Sequence, residues 1–406
     1  MKHLPLLLAY FFVLSCPAQT QDVATSVNKF SFDFYKTVLA KEKKNAFASA
    51  FSVSAAFAMV YAGAEGETLA EMSRTLYFQN TPDFHAKQAA FQENLQKSLP
   101  KGLALEVANA LWIKKGFKFL PDYQDIMQKN YRAKLEPVNF DAPVEASAVI
   151  NKWTSEKTHD KIKEIIKPEH IDDLTRLILT NAIYFKSSWA KSFDKQQTRS
   201  YPFALGAGKT EKASAPRENW INADCMQTQG FFKYFENLQL QMLELPYTDN
   251  SASMVVILPT SKSNLENAEK EFTYENYEKW ASAMQQQDVR VLLPKFKIES
   301  DFSLNGYLQD MGIKRAFERG QAEFDKIIEK VPLHIGLVLH KSFVEVNEEG
   351  TEAAAVTAII MQATESAHHE QPMPKMFFAN RPFLFLIKDN KTGAILFMGK
   401  VLNPNK

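Results

Sequence analysis

What most limits the folds open to this chain of 406 residues is the stretch from Val344 to Thr364. It grows out of an apolar, β-branched run, Leu333–Val346, which follows Pro332 and reads as a strand buried on both faces. Beyond Gly350 the alternate residues Thr351, Ala353, Ala355, Thr357, Ile359, Met361 and Ala363 are small or apolar, while Glu352 and Gln362 fall on the other face. Extended, that segment could press one face on a core and slip between two existing strands. No proline lies between Pro332 and Pro372, so nothing there forbids ladder hydrogen bonds. Ala353, Ala354 and Ala355 favour a helix, with Glu348, Glu349 and Glu352 suited to its N-terminus. Val356, Thr357, Ile359 and Ile360 favour extended backbone. The segment therefore suits two conformations, an exposed loop and an inserted strand, with Gly350 as the pivot.

Glu348-Glu349-Gly350-Thr351-Glu352-Ala353-Ala354-Ala355 closely resembles the hinge of inhibitory serpins, and Phe378-Ala379-Asn380-Arg381-Pro382-Phe383 resembles the segment that closes their reactive loop. Further segments in the right order carry the likeness: Asn45–Ser52, Leu103–Trp112, Leu177–Phe185, Leu243–Tyr247, Ser253–Pro259, Val291–Phe296, Leu308–Gly312 and Phe397–Val401. The resemblance covers roughly Val27 to Pro404. It implies an α+β serpin fold, three β-sheets with about eight or nine helices and an exposed reactive-centre loop over about 348–379. The hinge it implies is Glu348, Glu349, Gly350, Thr351, Glu352, Ala353, Ala354, Ala355, Val356 and Thr357. It also implies a shutter of Ser49, Ser52, Asn181 and His340 beneath the place where the main sheet opens. A histidine on an apolar strand is most simply a satisfied core residue, and the shutter role adds only that this polar set is re-satisfied when the strands part.

The function implied is suicide inhibition, not enzymatic turnover. A target serine protease, or alternatively a cysteine protease, attacks the loop and is held as an acyl-enzyme while the freed segment enters the main sheet. Counting from Gly350 by the family's usual spacing puts the reactive bond at Thr364–Glu365, whereas counting back from Asn380 puts it near Gln371–Pro372. Seven more residues before the cut would add about 23 Å of slack at about 3.3 Å per residue. A slack tether would not distort the protease, so Thr364–Glu365 is preferred, with Met361 or Ala363 as alternatives in another register. No Arg or Lys lies between Glu349 and Gln371, which points to elastase-like, chymotrypsin-like or subtilisin-like enzymes. The alternative is a non-inhibitory serpin, a binding or chaperone-like protein whose loop is cut and never inserts. The small hinge residues speak against it.

Composition bounds the rest. With 45% hydrophobic residues the chain can build a large core, and no linker, repeat or charge block divides it, so residues 19–406 read as a single domain. Lys and Arg number 48 against 47 Asp and Glu, which excludes a chain built mainly to bind nucleic acid. Leu4–Val13 follows Lys2, is too short to span a bilayer, and ends in Ser15-Cys16-Pro17-Ala18. Residues 1–18 therefore read as a signal peptide and the protein as secreted and extracellular. In a minority alternative Val13-Leu14-Ser15-Cys16 resembles a bacterial lipoprotein box, which would leave the chain lipid-anchored through Cys16. Apart from Cys16 the chain carries Cys225 alone, so no disulfide framework holds it. A monomer without cofactor or metal is expected.

Gly206-Ala207-Gly208-Lys209-Thr210 imitates the end of a phosphate loop, but Phe203 stands where the first glycine belongs. His368-His369 has no further ligand at suitable spacing, and Lys114, Lys115 and Lys118 are as simply a wet face as a polyanion site. Apolar spacing predicts helices over Val27–Leu39, Phe51–Ala62 and Val144–Ile166, the last ended by Pro168, and a strand over Leu105–Ile113.

Overall fold

The largely apolar run Leu177–Phe185 sits in the middle of a sheet in a computed structural model of the chain, which describes residues 17–98, 104–205, 219–328, 331–351 and 373–406. Nine α-helices stand among those residues. The first four are α1 (Pro17–Phe34), α2 (Ala50–Tyr61), α3 (Gly66–Leu76) and α4 (Phe84–Ser98). They are followed by α5 (Pro121–Ile126), α6 (Pro143–Lys157), α7 (Leu265–Glu271), α8 (Tyr274–Ser282) and α9 (Asn305–Met311). The strands are β1 (Ala46–Ala48), β2 (Ala104–Lys114), β3 (Lys134–Val138), β4 (Leu177–Ser188) and β5 (Arg199–Ala204). Then come β6 (Trp220–Glu236), β7 (Leu240–Pro246), β8 (Ala252–Pro259), β9 (Gln285–Pro294) and β10 (Phe296–Ser303). The last five are β11 (Leu337–Val346), β12 (Gly350–Thr351), β13 (Lys375–Phe378), β14 (Phe383–Asp389) and β15 (Ile395–Val401).

The α+β serpin architecture is present, with one difference in how its sheets join. One sheet runs β10-β11-β12-β4-β2-β3, and the other β1-β15-β14-β8-β7-β6-β9-β13 with β5 on β6. The resemblance implied three sheets; the ladder traces two. The cause is β6, which pairs with β9 over Cys225–Tyr234 and with β7 over Lys233–Glu236, tying two strand groups into one ladder.

Alternation along the strands sorts the core into layers. Leu111, Ile113, Leu177, Leu179 and Val338 face a cluster that includes Val53, Phe57 and Val60 of α2. All twelve residues of α2 are buried, as expected of a helix apolar on every side. The other face of the same sheet, through Ala108, Ala110, Ile178, Ala182 and Leu339, is covered by Ile150 and Trp153 of α6 and by Ile162, Ile165 and Ile166 beyond it.

Two local expectations are corrected. The strand expected over Leu333–Val346 begins only at Leu337, because the Ile335 and Gly336 amides donate to Ala316 O and Leu177 O while Leu333 and Ile335 fill the core. The helix expected over Val144–Ile166 stops at Lys157, where His159 and Asp160 take positive φ, and Pro168 opens a short 3₁₀ turn instead of ending a helix. The isoleucines that suggested helical spacing reach the core through a folded-back segment. Asn151 holds that segment: its Oδ1 accepts from the Ile165 and Ile166 amides (2.9 and 3.0 Å), and its Nδ2 donates to Ile166 O (2.8 Å). Asn151→Ala should therefore destabilise the fold by about 1–3 kcal/mol, the cost of stranding these groups. The expected reading is a lower denaturant midpoint at unchanged slope.

Candidate functional site

Two polar assemblies lie on the seam between β4 and β11. These strands run parallel for seven residue pairs, from Leu337 opposite Ile178 to Phe343 opposite Tyr184. Halfway along, His340 stands opposite Asn181, and the two meet Ser49 and Ser52 at the start of α2. All four side chains implied as the shutter are buried and come together here. His340 Nε2 accepts the Ser49 amide (3.1 Å), so its Nδ1 carries the proton and donates to Asn181 Oδ1. The Asn181 Nδ2 donates to Ser52 Oγ and to Asn109 Oδ1 on β2. Ser49 Oγ accepts the Ser52 amide (3.0 Å), capping α2, and donates to Leu396 O (2.6 Å) on β15. Burial pushes the His340 imidazole down to about 3, so it is neutral at physiological pH. The network is complete in this one tautomer only.

Above Phe343 the two strands part, and the chain itself fills the gap. After β11 it reverses through a tight turn, with the Asn347 amide donating to Gly350 O (2.9 Å), and Gly350–Thr351 lies as a short strand between its neighbours. Thr351 pairs with Val346 on one side and Ser187 on the other. Gly350 is required by contact: a Cβ there would stand 2.1 Å from Ser187 O. Thr351 is fully buried, its hydroxyl 2.6 Å from the Tyr247 hydroxyl, and Tyr247 stacks on Trp189 at 4.7 Å. Trp189 grips the turn through Nε1 to Asn347 O and through its amide to Glu349 O (both 2.9 Å).

Charge closes the rim. Glu348 is buried, accepting from Thr198 Oγ1 (2.8 Å) and lying 3.2 Å from Lys295 Nζ. Burial alone would raise its carboxyl, but hydrogen bonds from its own backbone amide, Thr198 and Lys295 outweigh that and hold it below the usual range. Glu349 pairs with Lys195 nearer the solvent. Of the implied hinge, Glu348 to Thr351 are thus seated. Glu352, Ala353, Ala354, Ala355, Val356 and Thr357 lie outside the described residues, as do Met361, Ala363, Thr364, Glu365, His368-His369 and Gly206–Thr210.

Elsewhere, Cys225 is buried and its thiol is pushed up to about 12 by burial, so it is no nucleophile. Lys114 is paired with Asp141 (2.6 Å), and Lys115 and Lys118 are exposed. Sequence reasoning missed Asn109, Thr198, Tyr247 and Lys295. Asn109 carried the same signal as Asn181, an amide in a largely apolar strand. The other three are brought to the hinge by tertiary folding, with no local pattern to mark them.

The family model for serpins, serine protease inhibitors, matches residues 25–404. The leukocyte elastase inhibitor of Xenopus tropicalis is 38% identical over 392 residues, covering 95% of this chain and 100% of that protein. Among solved structures, Serpin48 of the insect Tenebrio molitor superposes with a TM-score of 0.81 at 32% identity, over 94% of this chain and 98% of its own. Human thyroxine-binding globulin does so with a TM-score of 0.81 at 27% identity, over 95% of this chain and 99% of its own.

The His340 network makes stability depend on pH. An unfolded histidine titrates near 6.5, so below that pH the unfolded chain takes up a proton that the folded chain, at about 3, refuses. The contribution is complete above about pH 6.5 and is lost as the pH falls toward about 3, amounting to a loss on the order of 2 kcal/mol by pH 5. His85, lowered to about 4 by burial, acts in the same direction. Urea unfolding at pH 7 and pH 5 should show a larger drop in midpoint for the wild type than for His340→Gln. Equal drops would remove His340 from the account.

Proposed function

The chain belongs to the serpin family, whose members include serine protease inhibitors, and we propose that it acts as a secreted, suicide-type inhibitor that traps its target protease covalently. The observation that carries this reading is the strand Gly350–Thr351, already hydrogen-bonded between β11 and β4. An inserting loop needs a place to start, a continuous slot and residues small enough to fill it. The seam offers the start, and the alternation of small residues from Thr351 to Ala363 suits the slot. Continuing the pairing of Thr351 with Ser187 down the strand would bring Met361 opposite Leu177, the first residue of β4. Thr364 would then lie just past the end of the sheet, which favours Thr364–Glu365 as the reactive bond.

On this reading the protease's nucleophilic oxygen attacks the Thr364 carbonyl carbon, the bond to the Glu365 nitrogen breaks, and the acyl ester remains on the loop. Zippering some 12 residues at about 3.3 Å each carries the attached protease about 40 Å before water can release it. The odd-numbered residues follow Thr351 into the sheet interior, and the even-numbered ones, Val356 among them, face the α6 side. The shutter must open by one strand width for this to happen, so Ser49, Ser52, Asn181 and His340 act as its gate. A leader of residues 1–18 would supply secretion, with 19–406 as the folded domain; a cut near Ala18 removes two residues from the start of α1. The lack of Arg and Lys between Glu349 and Gln371, and an elastase inhibitor among the relatives, favour an elastase-like target, with chymotrypsin-like and subtilisin-like enzymes next.

Mixing the protein with such proteases should give a complex that survives denaturing electrophoresis and release a peptide beginning at Glu365. A cut without a complex would instead favour a binding role, of the kind the name thyroxine-binding globulin gives its structural neighbour. Thr351→Arg or Ala355→Arg, which puts a guanidinium where the slot has no room, should convert the inhibitor into a substrate. If either variant still traps protease at full stoichiometry, insertion is not the mechanism.

A further inference from the structure

The first residues of β11 are held by a side chain that stands in for a strand. β10 and β11 pair residue by residue as far as Ser303 opposite Leu339, and the chain then turns into α9. The Leu304 amide donates to Val338 O (2.9 Å), and the Asn305 side chain carries the pattern on. Its Oδ1 accepts the Val338 amide and its Nδ2 donates to Gly336 O (both 2.8 Å). A carboxamide offers the same acceptor and donor as a peptide group, so Asn305 extends the ladder past the point where its own backbone has left it. Gly336 is thereby fixed on both sides, because its amide donates across the seam to Leu177 O (3.0 Å).

The next residue is glycine, and Asn305–Gly306 is the one Asn-Gly pair in the sequence. Gly306 is exposed, its amide makes no hydrogen bond among the described residues, and a Cβ built on it would meet nothing within 4 Å. An amide in the first turn of a helix has no intrahelical acceptor, and Leu304, just before the helix, gives no side-chain cap. The Gly306 nitrogen is therefore open to water and base, and no Cβ screens its approach to the neighbouring carboxamide.

We propose that Asn305 is a site of spontaneous deamidation, and that the reaction unfastens the start of β11 as the protein ages. Base removes the Gly306 amide proton, the nitrogen attacks Asn305 Cγ, and Nδ2 leaves as ammonia, closing a succinimide. Water then opens the ring at either carbonyl, giving aspartate or isoaspartate. The closed clamp holds the carboxamide to Gly336 and Val338, so the reaction runs through the molecules in which this end of the ladder has frayed. That fraction is small, but the step is irreversible and its products accumulate. Either product loses the donor. Aspartate sets a carboxylate oxygen against Gly336 O, two acceptors where a hydrogen bond stood, and isoaspartate also lengthens the backbone at the head of α9. None of this depends on the inhibitory reading.

The test is to age the folded protein at mildly alkaline pH and physiological temperature. Peptide mass spectrometry and enzymatic methylation of isoaspartate locate the change, and thermal unfolding follows its consequence. The wild type should accumulate aspartate and isoaspartate at position 305, and its thermal midpoint should fall by about 2–4 °C as it does so. Asn305→Asp should show the lower midpoint from the outset. Gly306→Ala keeps the clamp and fits the open space, while its methyl group hinders ring closure. It should start at the wild-type midpoint or above and deamidate slower by about tenfold or more. If Asn305 stays an amide throughout, while the same residue reacts in the urea-unfolded chain, the site is overturned. Deamidation at 305 with no fall in midpoint, or a fall that Gly306→Ala shares in full, overturns the unfastening. Should Asn305→Asp not fold, the aged wild type, folded before it reacts, carries the same comparison against Gly306→Ala.

Discussion

The rest of the molecule depends on one weak seam. β4 and β11 are joined by seven parallel pairs, while each is bound on its other side by a longer antiparallel ladder, ten pairs to β2 and eight to β10. Parallel pairing is the less stable kind per residue, so a load on these strands parts β4 from β11 before it parts either from its antiparallel neighbour. The two halves that would separate pack on one shared core, β10 and β11 through Phe302 and Val338, β2 and β4 through Leu111 and Leu179. Separation thus breaks the seam and slides the two halves over that shared core. The hinge socket exploits this by seating Thr351 where the strands have already diverged.

That seating accounts for a grouping of chemistry that would otherwise look wasteful. Glu348 is a buried carboxylate, and such a group persists only when paired and hydrogen-bonded, as Lys295 and Thr198 do here. Removing one partner would leave a charge stranded beneath the turn, so the pair acts more to fix where the chain reverses than to add stability. Trp189 and Tyr247 complete the socket from the opposite side, one holding the turn's carbonyls and the other the Thr351 hydroxyl. On the proposed inhibitory mechanism, the chain would thereby enter the slot at one register. A slip of one residue would turn its small side chains to the wrong face.

How much of this was legible in the sequence differs from residue to residue. The alternation after Gly350 reported a strand-compatible segment because small residues at period two suit extended backbone pressed against a core and suit a helix poorly. Asn181 stood out because an amide in a run as apolar as Leu177–Phe185 must find partners. Asn109 bore the same mark and was passed over, since its strand is only half buried and an amide there could have faced water. Ile162 and Ile165 misled, because a helix and a folded-back segment pinned by Asn151 deliver the same residues to the same core. Two sheets stood where three were implied because a ladder shared along β6 depends on pairing partners far apart in sequence. Lys295 and Tyr247 reach the hinge by the same long-range folding.

The polar character of the seam follows from what an apolar one would permit. Greasy side chains at positions 181 and 340 could slide past one another with small, graded losses, and the sheet would breathe. The network present cannot be relaxed by degrees. Asn181 uses its full amide, its two N–H donors and its oxygen, and His340 satisfies both partners in a single tautomer. Parting the strands by an ångström or two leaves several buried groups unmade at once, each at roughly 1–3 kcal/mol, with no room yet for water to replace them. Half-open sheets are therefore penalised more than either closed or fully opened ones. Under the proposed mechanism, such a seam would stay shut against thermal motion and yield only to a strand that supplies its own hydrogen bonds as it enters, as an inserting loop would.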